Sequence, residues 1–275
     1  MIKIEHVVLP SAEQMKFVIE GMRNPKNSWD RSDSRLEGDK FDRIGENDSK
    51  LMHTLAIAGT EHRKYLRMMP IYARVTAPLY WWKEFDTYKV GTVSNSCSTM
   101  HKIHAKKFTK EDFSIEHLGV PIPVEDNELE LENYLDLYLI QMSDTIRILN
   151  VARDHYNSET DPEIKKQYWW QMIQLLPTSY NQTRNVMINY EVALEIYRQR
   201  KNHKLDEWHT FCDWIEKLPY IDIFMENEED KNAAENNKPD NGDLLRVECD
   251  SYGQNYAVMS KDGKISKVPI TYVFK

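Results

Sequence analysis

Cysteine is scarce in this chain of 275 residues, and long apolar runs are missing from it. Cys97, Cys212 and Cys249 are widely spaced and form no CxxC pair, which argues against a disulfide framework and against a zinc ribbon. No run of about 18 apolar residues occurs, and the opening MIKIEHVVLP has no basic segment followed by an apolar one. The sequence predicts neither a membrane span nor a signal peptide, so a cytoplasmic protein with reduced thiols is expected.

Positive charge is also in deficit, because 36 Lys and Arg residues face 44 Asp and Glu residues, a formal net charge of -8. A chain of this charge has no general attraction for phosphate backbones or anionic membranes, so no nucleic-acid partner is expected. Glycine-rich phosphate loops of the GxGxxG or GxxxxGK type do not occur in the sequence. A small anionic ligand in a locally basic pocket remains compatible with these numbers.

Extended and helical patterns alternate over residues 1–225, which predicts an α+β core. Residues 2–9 form a strand pattern, and Ser11 then begins a helix in which Gln14 completes a capping box. Residues 23–47 are polar and predicted to form a long loop, and residues 65–76 are predicted to be extended. Further helices are predicted over 49–58, from Pro78 onwards, and over 128–156, 162–175, 181–201 and 205–217.

The last 50 residues differ in composition from the core. Residues 226–243 are dominated by Glu, Asp, Asn and Lys, which predicts an acidic flexible linker. Short strand patterns follow, two of them joined at Asp262-Gly263, a strong hairpin signal. The predicted organisation is therefore a core over 1–225, a linker over 226–243 and a small β tail over 244–275.

Two motifs in the core carry a resemblance to a known family. The segment from Ala73 to Phe85 reads ARVTAPLYWWKEF. It resembles, without a gap, the strand-into-helix segment FRVKAPIFVARQWFRHR of the flavin-dependent thymidylate synthases. The family continues with Asn-Glu-x-Ser-x-Arg-Tyr; here the loop is one residue longer, and Asn95 and Ser98 are retained.

The second motif lies about 100 residues later. The family has a Leu-Pro pair, an Asn twelve residues after that Pro, an Arg eleven residues after the Asn, and then a Trp. This chain has Leu176-Pro177, Asn189, Arg200 and a Trp208 displaced by about one position. Eleven residues are about three helical turns, so we predict that Asn189 and Arg200 lie on one helix and on one of its faces.

The resemblance implies the fold of that family, an antiparallel sheet with long helices, and a homotetramer holding flavin and nucleotide at subunit junctions. It also implies a reaction, the reductive methylation of dUMP to dTMP at C5. Methylenetetrahydrofolate would donate the carbon, NADPH would be the reductant and FAD would be the cofactor. No cysteine need attack the substrate in that family, and Arg200 would act catalytically by holding and polarising the pyrimidine ring.

The same resemblance implies two sets of site residues. The substrate-binding set is Lys83, Glu84, Ser98, Thr99, His101 and Arg200. The cofactor-binding set is His62, Lys89, Asn95 and Asn189. His101 and His104 are three residues apart but lack a defined third ligand, so no metal site is predicted.

Several family residues are changed here. The family's Arg-His-Arg triplet falls on Thr87-Tyr88-Lys89, and the Arg of its phosphate-binding Ser-Gly-Arg falls on Met100. The family's Gln becomes Glu84, which would repel phosphate unless it is protonated or paired with Lys83. These changes leave two alternatives to the methylation enzyme. One is a non-catalytic protein that binds a nucleotide or a protein partner, and the other is an enzyme in which Glu84 recognises an amino group such as that of cytosine.

Three residues or pairs also have simpler interpretations. Arg200 is compatible with an ordinary helix-end cation favoured by the helix dipole. Cys97 is expected to be a small buried thiol. Trp81-Trp82 and Trp169-Trp170 are expected at a subunit interface.

Overall fold

A computed structural model describes residues 2–37, 40–118, 131–225, 243–249, 255–261 and 264–269. The chain divides into two compact units, residues 1–225 and 226–275. The predicted linker over 226–243 lies outside the described residues except for Asp243, as does the Asp262-Gly263 turn. None of the helices in the described ranges is both long and apolar enough to cross a membrane.

The larger unit begins with strand β1 (Lys3–Val8) and helix α1 (Ala12–Arg23). The predicted capping box is present, because Ser11 Oγ accepts from the backbone N–H of Gln14 while the Gln14 side chain accepts from the backbone N–H of Ser11. One face of α1, which carries Met15, Val18 and Ile19, is buried in the core.

A four-stranded antiparallel sheet with strand order β1-β4-β6-β5 is the framework of this unit. Its other strands are β4 (Pro70–Pro78), β5 (Val93–Ser96) and β6 (Asn181–Asn189). β4 and β6 pair over their whole length, from Pro70 opposite Asn189 to Pro78 opposite Asn181. In β4, Ile71 and Val75 are buried while Tyr72 and Arg74 are exposed, so one face of the sheet forms the core.

The pairing of β4 with β6 corrects one sequence-based expectation. Residues 181–189, predicted as the first half of a long helix, are strand β6, and only Tyr190–Arg200 is helical (α8). Asn189 is the N-cap of α8, where its Oδ1 accepts from the backbone N–H of Val192 at 3.0 Å. Asn189 and Arg200 therefore mark the two ends of α8, and Asn189 does not lie on a helical face.

Five further helices agree with the predictions in position: α2 (Glu46–Ile57), α4 (Leu79–Phe85), α6 (Leu131–Ser158), α7 (Pro162–Leu175) and α9 (Asp206–Glu216). Three short helices were not predicted: α3 (Lys64–Arg67), α5 (Thr99–Lys102) and α10 (Ile221–Phe224). Helix α3 occupies the start of the segment that was predicted to be extended, so the strand begins only at Pro70.

The predicted loop over 23–47 contains more structure than its composition indicates. Two 3-10 turns, Asn24–Lys26 and Trp29–Arg31, are followed by the short strands β2 (Arg35–Glu37) and β3 (Lys40–Arg43), which pair with each other. The buried carboxylate of Asp48 in α2 anchors the segment, because it accepts hydrogen bonds from Ser32, the Asp33 backbone N–H and Ser34.

Aromatic side chains from α4 and α9 fill the centre of the core. Trp81 lies 4.7 Å from Trp208, 5.1 Å from Phe85 and 5.4 Å from Phe211, measured between ring centroids. Trp81 and Trp82 are almost completely buried within the subunit, which corrects the expectation that they form a subunit interface. The thiol expected to be buried, Cys97, is instead exposed at the end of β5.

Helices α6 and α7 form a second, smaller core beside the sheet. Met142, Leu149 and Ala152 of α6 pack against Met172 of α7. Asn150 attaches the preceding loop to α6, because its side-chain amide exchanges two hydrogen bonds of 2.9 Å with the Phe108 backbone.

The smaller unit contains a three-stranded antiparallel meander. Its strands are β7 (Asp243–Cys249), β8 (Asn255–Lys261) and β9 (Lys264–Pro269), in the order β7-β8-β9.

Candidate functional site

Arg200, the predicted catalytic residue, lies at the C-terminal end of α8 and faces α4. Its Nη1 donates to Oε2 of Glu84 at 3.0 Å, and its Nε donates to the hydroxyl of Tyr88 at 2.9 Å. The structure thus brings together two predicted substrate-binding residues, Arg200 and Glu84, that are 116 positions apart in the sequence.

Two aromatic rings flank this guanidinium. Its central carbon lies 4.9 Å from the Trp208 ring centroid and 5.7 Å from that of Tyr88, both within range of a cation–π attraction. The Tyr88 hydroxyl also donates to Oε1 of Gln199 at 2.9 Å. Burial raises the pKa of Tyr88 and outweighs the lowering by Arg200, so the hydroxyl stays protonated at neutral pH.

Glu84 Oε2 accepts two hydrogen bonds and has a third side-chain nitrogen close to it. Besides Arg200, Trp208 donates from Nε1 at 2.9 Å, and the His203 Nε2 lies 3.4 Å away. The sequence indicated Lys83 as the ion-pair partner of Glu84, but the partner in the structure is Arg200, while Lys83 is exposed on α4. Pairing with Arg200 offsets the negative charge that Glu84 introduces in place of the family's neutral Gln.

The Arg200–Glu84 pair has one donor atom and one acceptor atom that are not used within the protein. Among the described residues, neither Nη2 of Arg200 nor Oε1 of Glu84 has a hydrogen-bond partner. The two side chains are 20% and 34% exposed, so both atoms belong to groups within reach of a ligand. The pair therefore presents one strong donor and one strong acceptor, fixed from behind by Tyr88, Trp208 and His203.

Sequence reasoning missed two members of this group, Tyr88 and His203. Tyr88 had been counted only as the loss of a family histidine, and it lies beyond the C-terminal end of α4, where helical spacing does not predict its contacts. His203 follows Arg200 by three residues and gave no signal of its own in the sequence.

Ser98 and Thr99 line a separate cavity of about 470 Å³ between β5, β6 and the loop before α6. Ser98 caps α5 by accepting from the backbone N–H of His101 at 3.0 Å, and the His101 side chain is exposed and does not line the cavity. Lys102 and Lys106 line it together with Glu111 and Asp112, so its formal charges cancel. Such a lining suits a neutral sugar, which its hydroxyl groups can contact, better than it suits a charged phosphate.

The predicted flavin contacts are scattered over the subunit. Asn189 is 8% exposed, its Oδ1 caps α8, and its Nδ2 lies against Gly91, where an added Cβ would come within 2.7 Å. Asn95 lines a cavity of about 310 Å³ on the open face of the sheet. His62 is exposed beside Glu61 before α3, and Lys89 is exposed after α4.

Two features of the structure limit what these residues and the altered triplet offer to a flavin. The Oδ1 of Asn189 is used to cap α8, and Tyr88, at the centre of the altered triplet, is hydrogen-bonded to Arg200 and Gln199. Lys89 is the single cation left in that triplet to face a pyrophosphate.

Comparison with known proteins gives structural matches alone. No protein-family model matches the chain, and no curated protein sequence is similar to it. The fold is similar to the crystal structure of Thymidylate Synthase X (ThyX) from Helicobacter pylori with FAD and dUMP. The TM-score is 0.52 at 13% identity, over 82% of this chain and 99% of that chain. A second structure of the Helicobacter pylori enzyme, also complexed with FAD and dUMP, has a TM-score of 0.49 at 13% identity, over 81% and 97%.

At 13% identity the similarity bears on the fold and not on the chemistry. The antiparallel sheet β1-β4-β6-β5 and its helices match the architecture that the two sequence motifs predict. At this low identity, the chain has an α+β fold similar to that of the flavin-dependent thymidylate synthases.

Proposed function

We propose that this protein binds a pyrimidine deoxynucleotide and that the Arg200–Glu84 pair recognises the edge of its base. One observation carries the proposal: the pair is fixed by three neighbours and still has Nη2 and Oε1 open. The donor and the acceptor are already ordered, so ligand binding loses little side-chain conformational entropy at these two residues.

The chemistry of the pair suits a pyrimidine edge. Uracil carries a carbonyl oxygen beside a ring N–H, and cytosine carries an amino group beside a ring acceptor. Either edge offers one acceptor to Arg200 and one donor to Glu84. An arginine held against a ring carbonyl also stabilises negative charge that develops on the ring during reaction.

Ser98 and Thr99 are proposed to contact the sugar, because the cavity that they line has hydroxyl groups and charges that cancel, which suit a neutral polar group. Lys83 and His101 are exposed cationic or titratable side chains and are proposed to contact the phosphate from outside this cavity.

Two functions can follow from nucleotide binding. The catalytic one is reductive methylation of dUMP to dTMP, with methylenetetrahydrofolate as carbon donor, NADPH as reductant and FAD as cofactor. It is favoured by Arg200 at the end of α8 and by a fold similar to an enzyme structure that holds FAD and dUMP. The other is nucleotide binding without catalysis, favoured by the commitment of Asn189 and Tyr88 to contacts inside the subunit.

Substitution of Arg200 tests the nucleotide site. We expect Arg200→Ala to weaken dUMP binding, measured by titration calorimetry, by about tenfold to a hundredfold, because a charged hydrogen bond is worth about 1.5–3 kcal/mol. Lys201→Ala is the matched control, because it removes the same charge from the neighbouring exposed position. Circular dichroism of both variants checks that α8 remains folded. Equal dUMP affinity in wild type and Arg200→Ala would remove Arg200 from the site.

Base preference tests the role of Glu84. If Glu84 recognises an amino group, dCMP binds more tightly than dUMP, and Glu84→Gln reverses the order because an amide can donate to a carbonyl. Equal or absent affinity for both nucleotides would exclude base recognition by Glu84.

The visible absorption spectrum decides between the two functions. Because the family's Arg-His-Arg triplet is reduced to one cation here and the Oδ1 of Asn189 caps α8, we expect protein incubated with FAD and then desalted to show no flavin band. A retained band would contradict this expectation. It would make methylation the working function, to be assayed by turnover with dUMP, NADPH and methylenetetrahydrofolate.

A further inference from the structure

A second polar cavity lies apart from the Arg200–Glu84 pair, between the segment after α1 and one face of α2. Its volume is about 590 Å³, within the range of small-molecule sites. Four basic residues line it, Arg23, Lys26, Arg31 and Lys50, together with one acidic residue, Asp30. Neither sequence motif includes any of these residues.

Arg23 is the buried member of this lining, with its side chain 4% exposed. Its Nε donates to Oδ1 of Asp48 at 2.6 Å, and its Nη1 donates to the backbone oxygen of Ser28 at 3.2 Å. Its Nη2 is buried and has no hydrogen-bond partner among the described residues. Arg23 therefore lines the cavity with a fixed guanidinium whose hydrogen-bonding capacity is not fully used.

The charges around the cavity leave a positive excess. Asp48 neutralises Arg23, and Asp30 offsets one of the three other cations, so two positive charges remain. Lys26, Arg31 and Lys50 are exposed and free to turn toward a ligand, and none of them forms an ion pair with another described residue. In a chain with a net charge of -8, this is a local reversal of sign.

We propose that this cavity binds a phosphate-type dianion, either free phosphate or the phosphate group of a small metabolite. A dianion matches the excess of two positive charges and offers several oxygen acceptors. These oxygens can accept hydrogen bonds from the exposed side chains of Lys26, Lys50 and Arg31. Ser28, Asn27 and Thr54 supply further polar groups to the lining.

Titration calorimetry of the full chain with inorganic phosphate tests this site. The variant Lys26→Ala/Arg31→Ala/Lys50→Ala keeps the buried Arg23–Asp48 pair and removes only exposed side chains, so its fold is expected to remain intact. We expect phosphate to bind the triple variant at least about tenfold more weakly than wild type.

The control is Lys166→Ala/Lys204→Ala/Lys217→Ala, which removes three exposed cations from other surfaces. Equal weakening in both triple variants would show a general charge effect and would overturn the site. Undetectable phosphate binding to wild type at about 10 mM would overturn it as well. Glycerol 3-phosphate distinguishes the two ligand sources: tighter binding than phosphate identifies a metabolite site, and equal binding identifies a site for the anion alone.

Discussion

We expect Asp48→Asn to lower the free energy of unfolding by about 3–5 kcal/mol, because it leaves the buried guanidinium of Arg23 without its counter-charge. Asp48 is fully buried, and its Oδ1 lies 2.6 Å from Nε of Arg23. Its Oδ2 accepts from the side chains of Ser32 and Ser34 at 2.8 and 2.6 Å. The substitution therefore also loosens the segment that leads into β2.

Chemical denaturation of the purified variant measures this loss. Asp30→Asn is the matched control, because it is the same chemical change at an exposed position in the same segment, and it is expected to alter stability by less than about 0.5 kcal/mol. A similar small effect in Asp48→Asn would contradict the structural role assigned to the Arg23–Asp48 pair.

The same residue sets an expected pH dependence. Burial raises the pKa of Asp48, but the hydrogen bonds from Ser34, Ser32 and Arg23 together outweigh it, so the net pKa lies below its usual range. A carboxyl whose pKa is lower in the folded state stabilises the fold above its unfolded pKa of about 3.9 and loses that contribution as the pH falls through the folded value. Wild type should therefore lose stability more steeply than Asp48→Asn below about pH 4. Parallel pH profiles would contradict this assignment.

Trp81→Ala should have a comparable effect on stability, about 3–5 kcal/mol, because it empties the centre of the aromatic core. Trp81 is fully buried, and its ring contacts those of Trp82, Phe85, Trp208 and Phe211. Trp208 in turn donates to Glu84 and flanks Arg200. The substitution should therefore also weaken dUMP binding, and this coupling distinguishes Trp81 from a core residue remote from the site.

Trp81→Phe is the control for this prediction. Its ring keeps much of the contact, and it removes an indole N–H that is buried without a hydrogen-bond partner. We expect a loss of less than about 1.5 kcal/mol and unchanged dUMP affinity. Denaturation and calorimetry of the two variants, run together, separate packing from site geometry. Unchanged dUMP affinity in a folded Trp81→Ala protein would contradict the coupling.

Local patterns predicted the elements whose signals lie within a few residues. The capping box at Ser11 predicted the start of α1, and the helical pattern that begins at Pro162 predicted α7. The two motifs predicted the fold, because they combine residue types and spacing over much of the core. They also named Arg200 and Glu84, but as separate contacts to a ligand.

Residues 181–189 illustrate why local patterns were not sufficient. Their sequence is compatible with a helix leading to Arg200, yet they pair residue by residue with β4. A strand is stabilised by partners that are remote in the sequence, so no local pattern could reveal that pairing. The consequence for the site is direct, because the Oδ1 of Asn189 caps α8 and is no longer available to a ligand.

The sequence by itself determined the α+β class, the resemblance to the flavin-dependent thymidylate synthases and the positions of the residues on which the proposed site is built. Tertiary structure alone decided that Arg200 and Glu84 form one ion pair, that Tyr88 and His203 belong to it, and that four cations gather around one cavity near α2. The physical reason is distance along the chain: α4 and α8 meet only because β4 and β6 pair, and that pairing depends on the whole core.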